Sequence, residues 1–297
     1  MSRTLSPSSK RSYGVARVIA VWQLARSSFY AARWRQQHPR IAAKRGPKRL
    51  SDEELVREIR QVLDQSVFHG EGYRKVWARL RHKGVRVWKE RVLRVMRENQ
   101  LLSPSRQPDA RPGNPHEGHI VAETPNQLWG TDGTATFTEE DGQVTIFAAI
   151  DHCTADCIGI HAIKRAHRFE ALEPIRQAVR EQFGSFSAAV AAGVRLRHDH
   201  GSVYMSDDFQ AEIAFVGMES SPAFVRQPEG NGCIERFFRT LKEQLLWIRR
   251  FRNLDELREA IAEFRKRYNE QWILERLQYR TPAQARRDFS LVLGRAA

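Results

Sequence analysis

The hydrophobic pattern of this chain changes across a short proline-rich segment, residues 101–118. Four prolines and three glycine or asparagine residues fall within it, a composition typical of a linker. Before the segment, apolar residues recur at helical spacing, whereas after it they alternate as they do in strands. The sequence therefore predicts an all-α N-terminal part joined to a mixed α/β part, with the main domain boundary at 101–118.

The N-terminal part divides into two helical regions. Residues 1–50 form a basic segment with two short helices over 14–34 and a polar linker. Residues 51–100 open with a capping box at Ser51, followed by a helix with Leu55, Ile59 and Val62 on one face. A helix pair over 72–99 comes next, with Gly84 at its turn. Two helices joined by a short glycine-containing turn are typical of a helix-turn-helix.

The remaining residues predict one mixed sheet with flanking helices. Five segments have strand character, at 126–138, 143–152, 155–164, 194–198 and 221–226. Helices are expected at 169–183, 206–215, 232–247 and 254–269, and another begins after the capping pattern Thr281-Pro-Ala-Gln284. We assign 119–250 to a catalytic core and 251–297 to a helical C-terminal extension.

Positive charge is confined to the N-terminal part. Residues 1–118 hold 26 Lys and Arg against 10 Asp and Glu, whereas residues 119–297 hold 23 against 25. A basic module beside a near-neutral one favours a polyanion-binding arm on a catalytic body, and a solvated basic surface is the simpler alternative.

The other composition signals exclude several classes of protein. Three cysteines without a C-x-x-C pair argue against a structural zinc site or a disulfide framework. No apolar run is long enough for a membrane span, and the N-terminus lacks the apolar core of a signal peptide. We therefore expect a soluble intracellular protein with no membrane partner.

Three acidic residues have the pattern of a metal-dependent nuclease site. Asp132 ends the motif NQLWGTD on the first strand, and Asp199 follows the fourth strand. Glu235 lies on the closing helix, with thirty-five residues between it and Asp199. Carboxylates are the hard oxygen ligands that Mg²⁺ prefers, and two such ions can catalyse phosphodiester chemistry. We predict that Asp132, Asp199 and Glu235 are catalytic and bind two Mg²⁺ ions, with Mn²⁺ as a substitute.

Basic residues near these positions are candidates for DNA contact. Arg239 and Lys242 share a helix face with Glu235, one and two turns further on. A surface Glu–Arg pair is the simpler interpretation of Arg239. In the helix-turn-helix region the candidates are Arg74, Lys75, Lys89, Arg91 and Arg94. We expect a structural role for Asp151, Asp207, Asp208 and Trp129. His200 is expected to support the metal site indirectly or to face solvent.

These motifs resemble those of the DDE transposases of bacterial insertion sequences, in the retroviral-integrase superfamily. The likeness is to the second-reading-frame product of elements with two overlapping frames, and it covers about residues 50–287. It is carried by HGEGYRK (69–75), NQLWGTD, Asp199-His-Gly-Ser, PEGNGCIERF (228–237) and YRTPA (279–283). His198 stands where serine is usual, and Gly130 and Gly133 stand where larger residues are common.

The resemblance implies a ribonuclease-H-like fold and a defined activity. Asp132, Asp199 and Glu235 would bind catalytic metal, and the enzyme would nick element ends and join the freed 3′-hydroxyl to target DNA. The implied partners are double-stranded DNA at element ends and target, further copies of the chain on DNA, and an upstream-frame protein or fusion. The implied location is the bacterial cytoplasm, at the nucleoid.

The sequence leaves two other functions open. The basic N-terminal part also fits a DNA-binding or regulatory product of a decayed element, without catalysis. A ribonuclease-H-like nuclease acting on RNA is a third hypothesis, although no RNA-binding motif supports it.

Overall fold

The computed structural model describes residues 3–38, 50–104, 122–222 and 231–296, with side chains as far as residue 291. The chain divides into two compact units, Met1–Ser51 and Asp52–Ala297. In the first unit, α1 (Gly14–Val21) and α2 (Arg26–Gln37) are the predicted pair of short helices. Ile19 is the buried residue of α1, and α2 buries none, so this unit has little core of its own.

The second unit begins with three packed helices, α3 (Asp52–Asp64), α4 (Tyr73–His82) and α5 (Lys89–Glu98). The apolar faces predicted for them are buried and form one small core: Leu55, Ile59, Val62, Val76, Leu80, Val92, Val95 and Met96. Gly84 follows α4 with a φ of 86°, a left-handed conformation that glycine adopts without steric cost. The helix-turn-helix arrangement is therefore present.

A five-stranded mixed sheet forms the centre of the second unit. Its strands are β1 (Leu128–Thr138), β2 (Gly142–Asp151), β3 (Cys157–Ile163), β4 (Arg195–His198) and β5 (Glu219–Pro222). Their order is β3-β2-β1-β4-β5; the first three pair antiparallel, and β4 and β5 run parallel to β1. This is the ribonuclease-H-like arrangement, so the predicted fold class is confirmed.

Helices cover both faces of the sheet. Helix α6 (Arg168–Phe183) follows β3, and α7 (Asp207–Phe215) lies between β4 and β5. Three helices follow β5: α8 (Gly232–Leu241), α9 (Leu254–Gln271) and α10 (Pro282–Ala296). Alternate residues of β2 enter two separate cores. Ile146 and Ala148 pack with the apolar face of α8 and α9, whereas Phe147 and Ala149 pack with α6 and α7.

Two predicted elements differ from the observed ones. The fifth strand begins at Glu219 instead of residue 221, and residues 223–226 of the prediction lie outside the described residues. The closing helix was expected to run over 232–247, but α8 ends at Leu241 and a π-helical turn, Lys242–Leu246, follows it. This widened turn places Gln244 against the backbone of His69, to which its side chain makes two hydrogen bonds.

The predicted cap of the last helix is confirmed. The Gln284 side chain accepts a hydrogen bond from the Thr281 N–H at 2.9 Å, and the Gln284 N–H donates to the Thr281 hydroxyl at 3.2 Å. In the described part of the chain, no helix combines the length and the apolar character needed to cross a membrane.

Candidate active site

Asp132 lies in the middle of β1, next to the parallel strand β4. The register pairs Gly130 with Arg197, so two further residues along each strand bring Asp132 opposite Asp199, just beyond the end of β4. Neighbouring strands lie roughly 5 Å apart, and side chains two residues apart share a face. The fold therefore places both aspartates at one edge of the sheet. The Asp132 carboxylate is half-buried and accepts a hydrogen bond from the Gly133 N–H at 2.7 Å.

Glu235 reaches this region from the first turn of α8. Ile234, Phe237, Phe238 and Leu241 are buried in the core, as their helical spacing predicts. Their burial fixes the rotation of α8 and leaves Glu235 exposed on the side of the helix that faces β1.

One open cavity of about 360 Å³ brings Asp132 and Glu235 together. Its wall also contains both predicted phosphate ligands of α8, Arg239 and Lys242. The complete lining is Asp132, Gly133, Thr134, Glu235, Phe238, Arg239, Lys242 and Trp247. Asp199 does not line the cavity, because its carboxylate turns toward its own loop and accepts the Gly201 N–H at 2.8 Å.

The electrostatics link all three acids. Burial, with smaller contributions from the negative charges of Asp199 and Glu235, raises the pKa of Asp132 to about 6. The Gly133 N–H and the charge of Lys242 act in the opposite direction. Burial also raises the pKa of Glu235. Because three carboxylates repel one another here, the site favours added positive charge.

The donor set matches a hard divalent cation in its chemistry, since all three candidate ligands are carboxylates. Within the described ranges, however, no three His, Cys, Asp or Glu side chains are gathered closely enough to hold an ion. Asp132 and Glu235 share the cavity, and Asp199 would complete the set if its carboxylate left the Gly201 N–H.

The structure gives the predicted DNA-contact residues different surroundings. Arg239 donates a hydrogen bond to Glu243 at 3.0 Å. Arg239 therefore forms a surface Glu–Arg pair, but its partner is Glu243 and not Glu235. Lys242 borders the cavity. The other five, in the helix-turn-helix region, all have protein neighbours: Arg74 pairs with Glu275, Lys75 lies over Trp272, Lys89 lies near the Trp77 ring, and Arg91 and Arg94 bind Asp52. Their contacts with DNA stay predictions.

The two glycines that depart from the family pattern have clear steric reasons. A Cβ at Gly130 would lie 2.5 Å from His152 Nε2 and 2.7 Å from Asn231 Oδ1. A Cβ at Gly133 would lie 2.9 Å from the Phe147 ring. Each glycine leaves room for a larger side chain to pack on β1 near Asp132.

Asn231 is a site residue that sequence reasoning missed. It precedes α8, is buried, and donates to the Thr131 carbonyl at 3.2 Å. His152 packs beside it, and burial lowers the pKa of His152 to about 4, so the ring is neutral near pH 7. Asn231 thereby fastens the start of the Glu235 helix to the strand of Asp132. Gly130, whose missing side chain admits both residues, was the one sequence signal of this contact.

Three further residues singled out from the sequence, Asp151, His198 and Trp129, make contacts within the fold. Asp151 is buried and accepts hydrogen bonds from the backbone of Asn126, Cys153 and Thr154. His198 is buried, and its ring joins the Asp199 carbonyl at 2.7 Å to the Ser220 hydroxyl at 2.9 Å, which ties β4 to β5. Trp129 is fully buried in the core, as expected.

Two segments of the chain match known domain families. Residues 216–282 match the Integrase core domain family, and residues 50–109 match the HTH-like domain family. The first match includes Glu235 and α8, and the second spans α3, α4 and α5. The fold and these matches define a protein with an integrase-type core preceded by a helix-turn-helix region.

The chain is similar along most of its length to transposases of insertion elements. It is 27% identical over 249 residues to the transposase InsD for insertion element IS2A/D/F/H/I/K of Escherichia coli, across 81% of this chain and 80% of that protein. The transposase InsD for insertion element IS2-9 of E. coli K12 matches at 27% identity over 79% of its length. The resemblance predicted from the motifs is confirmed: the chain is similar to transposases of insertion elements, and part of it matches the Integrase core domain family.

Two solved structures align with part of the chain. The catalytic core domain of HTLV-2 integrase in complex with magnesium aligns with a TM-score of 0.41 and 18% identity, over 55% of this chain and 97% of that one. The catalytic domain of Mos1 mariner transposase aligns with a TM-score of 0.40 and 11% identity, over 56% of this chain and 76% of that one.

Proposed function

We propose that this chain is the transposase of an insertion sequence, which cleaves DNA at the element ends and joins the freed 3′-hydroxyl to target DNA. The observation that carries the proposal is the cavity in which Asp132 and Glu235 lie beside Arg239 and Lys242. Acids that attract a cation and bases that attract a phosphate meet there within one opening. The sequence relatives and the two family matches support the same activity.

Each side chain of the site has a defined task in this proposal. Asp132, Asp199 and Glu235 hold the divalent metal, for which we propose two Mg²⁺ ions that Mn²⁺ can replace. Bound metal supplies Lewis-acid stabilisation of the charge that develops on the phosphate during attack and departure. Lys242 and Arg239 bind the phosphate backbone beside the carboxylates, and the buried face of α8 holds these groups in fixed relation.

The proposed activity also defines the partners. Double-stranded DNA binds both the helix-turn-helix region and the cavity, since a basic N-terminal part accompanies a near-neutral core. We also propose that several copies assemble on the two element ends, that an upstream-frame protein or fusion recognises the terminal repeats, and that the protein works at the bacterial nucleoid.

Cleavage of element-end DNA tests the proposal. The DNA that flanks the gene should contain inverted repeats and an overlapping upstream frame, and duplexes with those repeats are the substrates. With Mg²⁺, the wild type should nick them at the element boundary, and Asp132→Asn, Asp199→Asn and Glu235→Gln should each abolish nicking. Glu259→Gln, an exposed carboxylate on α9, is the matched control and should cut normally.

The result that would contradict the proposal is binding without chemistry. If the full chain, alone and with its upstream-frame partner, binds the repeats but never nicks them with Mg²⁺ or Mn²⁺, the non-catalytic DNA-binding product is the better description. Nicking that persists in all three carboxylate variants would show that Asp132, Asp199 and Glu235 do not form the catalytic site. Preferential cleavage of RNA–DNA hybrids would favour the RNA-directed alternative.

A further inference from the structure

Trp247 is an aromatic side chain left open to solvent in the wall of the candidate active site. Trp247 is 69% exposed, whereas Trp129 on β1 is fully buried. It shares the cavity lining with Asp132, Glu235, Arg239 and Lys242. Covering the large apolar face of a tryptophan is favourable, so an open indole beside these charged groups is available to a ligand that enters the cavity.

The π-helical turn explains why Trp247 faces the cavity. It lies twelve residues after Glu235, and at 3.6 residues per turn an unbroken α-helix would point it about a third of a turn away. Within Lys242–Leu246 the chain makes a wider turn, in which the Trp247 N–H donates to the Lys242 carbonyl five residues back at 2.9 Å. One extra residue in a turn rotates the next residues back by about 100°, which returns Trp247 to the Glu235 side.

The neighbours of Trp247 define the kind of ligand. Lys242 and Arg239 offer positive charge for a phosphate, and the indole offers a flat π-face of nucleobase size. Aromatic residues bind single-stranded nucleic acid by stacking on bases, without regard to base identity. In a duplex, both faces of an internal base are already covered by its neighbours, so only an unpaired or terminal base can reach this ring.

We infer that Trp247 is a stacking platform for an unpaired nucleobase at the DNA end held in the cavity. The inference rests on the proposed function and adds a subsite to it. The phosphate next to that base lies against Lys242 and Arg239, and stacking keeps the frayed end of the strand beside the carboxylates. The π-helical turn is the element that builds the subsite.

Fluorescence of 2-aminopurine in a metal-free buffer tests the inference without any cleavage. The probe is a duplex of the terminal repeat with 2-aminopurine at the end nucleotide, made either forked, with that nucleotide unpaired, or blunt. It is added in EDTA to the full-length chain, alone and together with its upstream-frame partner, and is excited outside the tryptophan absorption band. We expect the wild type to quench the forked probe and to bind it about tenfold more tightly than the blunt one.

Three variants separate stacking from other effects. Trp247→Ala should lose the quenching and the preference for the forked probe but keep its affinity for blunt duplex. Trp247→Phe should retain most of both, because phenylalanine still presents an aromatic face. Phe137→Ala removes an aromatic side chain of β1 that is 67% exposed but lies outside the cavity, and it should behave like the wild type.

Several results would overturn the inference. These are the absence of quenching in the wild type, full quenching by Trp247→Ala, equal quenching of blunt and forked probes, or a change in oligomeric state as the only effect of Trp247→Ala. Failure of the proposed function gives a different pattern. In that case the forked probe is quenched through Trp247 in EDTA, but neither probe is cut when Mg²⁺ or Mn²⁺ is added.

Discussion

At the residue scale, the site depends on small side chains as much as on charged ones. Gly130 has no Cβ, and His152 and Asn231 occupy the space where one would be. Their presence fastens the first turn of α8 to β1, and so holds Glu235 near Asp132. A glycine two residues before a candidate catalytic aspartate thus contributes to the position of a glutamate more than a hundred positions away.

Gly130→Ala should therefore destabilise the protein. The new methyl group would overlap two buried side-chain atoms, and overpacking of this kind costs about 1–3 kcal/mol of unfolding free energy. Chemical denaturation measures the change. Gly232→Ala is the matched control, since a Cβ there meets nothing within 4 Å, and it should not lower stability. Equal stability of Gly130→Ala and wild type would show that His152 and Asn231 move aside freely.

Asp132 should make the metal-free protein less stable as pH rises. Its pKa is raised to about 6 in the folded state from 3.8, so folding disfavours its ionised form. The resulting penalty is absent below pH 4, grows as the pH rises toward 6, and is complete above that value. In EDTA, Asp132→Asn should gain up to about 2 kcal/mol of unfolding free energy at pH 7, after allowance for solvent exposure, and nothing at pH 3.5.

Denaturation at several pH values checks this dependence. Glu259→Gln, an exposed carboxylate on α9, should show no comparable gain. A stability gain of Asp132→Asn that is independent of pH would contradict the electrostatic explanation. Added Mg²⁺ should raise the unfolding free energy of the wild type more than that of Asp132→Asn, because the bound ion attracts the carboxylates that otherwise repel one another.

At the element scale, the π-helical turn connects the helix-turn-helix region to α8, the helix of Glu235. Gln244 in the turn accepts the His69 N–H at 2.8 Å and donates to the His69 carbonyl at 2.9 Å. His69 lies in the loop between α3 and α4. The same turn carries Lys242 at its start and is followed by Trp247, both in the cavity wall. The π-helical turn therefore both contacts the helix-turn-helix region and positions residues in the cavity wall.

Gln244→Ala should loosen this connection. Losing both hydrogen bonds costs about 1–3 kcal/mol by the usual net value of such bonds. Hydrogen exchange should accelerate in the His69 loop and in the π-helical turn, while the amides of β1 and β2 keep their protection. Gln244→Glu keeps the side-chain acceptor but loses the donor, so its exchange rates should lie between those of the wild type and Gln244→Ala. Unchanged exchange at His69 would show that other contacts hold the loop.

The sequence predicted the elements with local signals and missed those set by distant contacts. β1 and β2 alternate clearly, and α3 and α10 have capping patterns, so each could be predicted within a few residues. The π-helical turn could not, because its apolar spacing continues that of α8 and its partner, His69, is 175 residues away. The acidic triad was predicted from its motifs, whereas Trp247 lines the site only because of that turn.

At the scale of the whole molecule, the helix-turn-helix region and the C-terminal extension are packed together. Phe68 belongs to the core that contains the buried face of α8 and α9, and its ring meets Trp272 edge-on at 4.7 Å. Trp77 meets Tyr279 at 5.5 Å, and Arg74 pairs with Glu275. The motifs HGEGYRK and YRTPA, distant in sequence, thus lie in or beside one interface. The predicted domain boundaries, including the 101–118 linker, stay predictions.

This packing predicts that residues 52–291 unfold as one cooperative unit despite the proline-rich segment within it. Trp272 is the test position, because it contacts Phe68, Lys75 and Tyr268 and so touches both regions. Trp272→Ala should lower the unfolding free energy by about 2–4 kcal/mol, somewhat less than for a fully buried tryptophan. In denaturant, amides of α4, α5 and α9 should lose protection together. Trp88→Ala is the control: Trp88 is 76% exposed, so the unfolding free energy of this variant should change little. If α4 and α5 lose protection well before α9 in the wild type, the helix-turn-helix region is an independent domain, and the contacts of Trp272 do not couple it to the core.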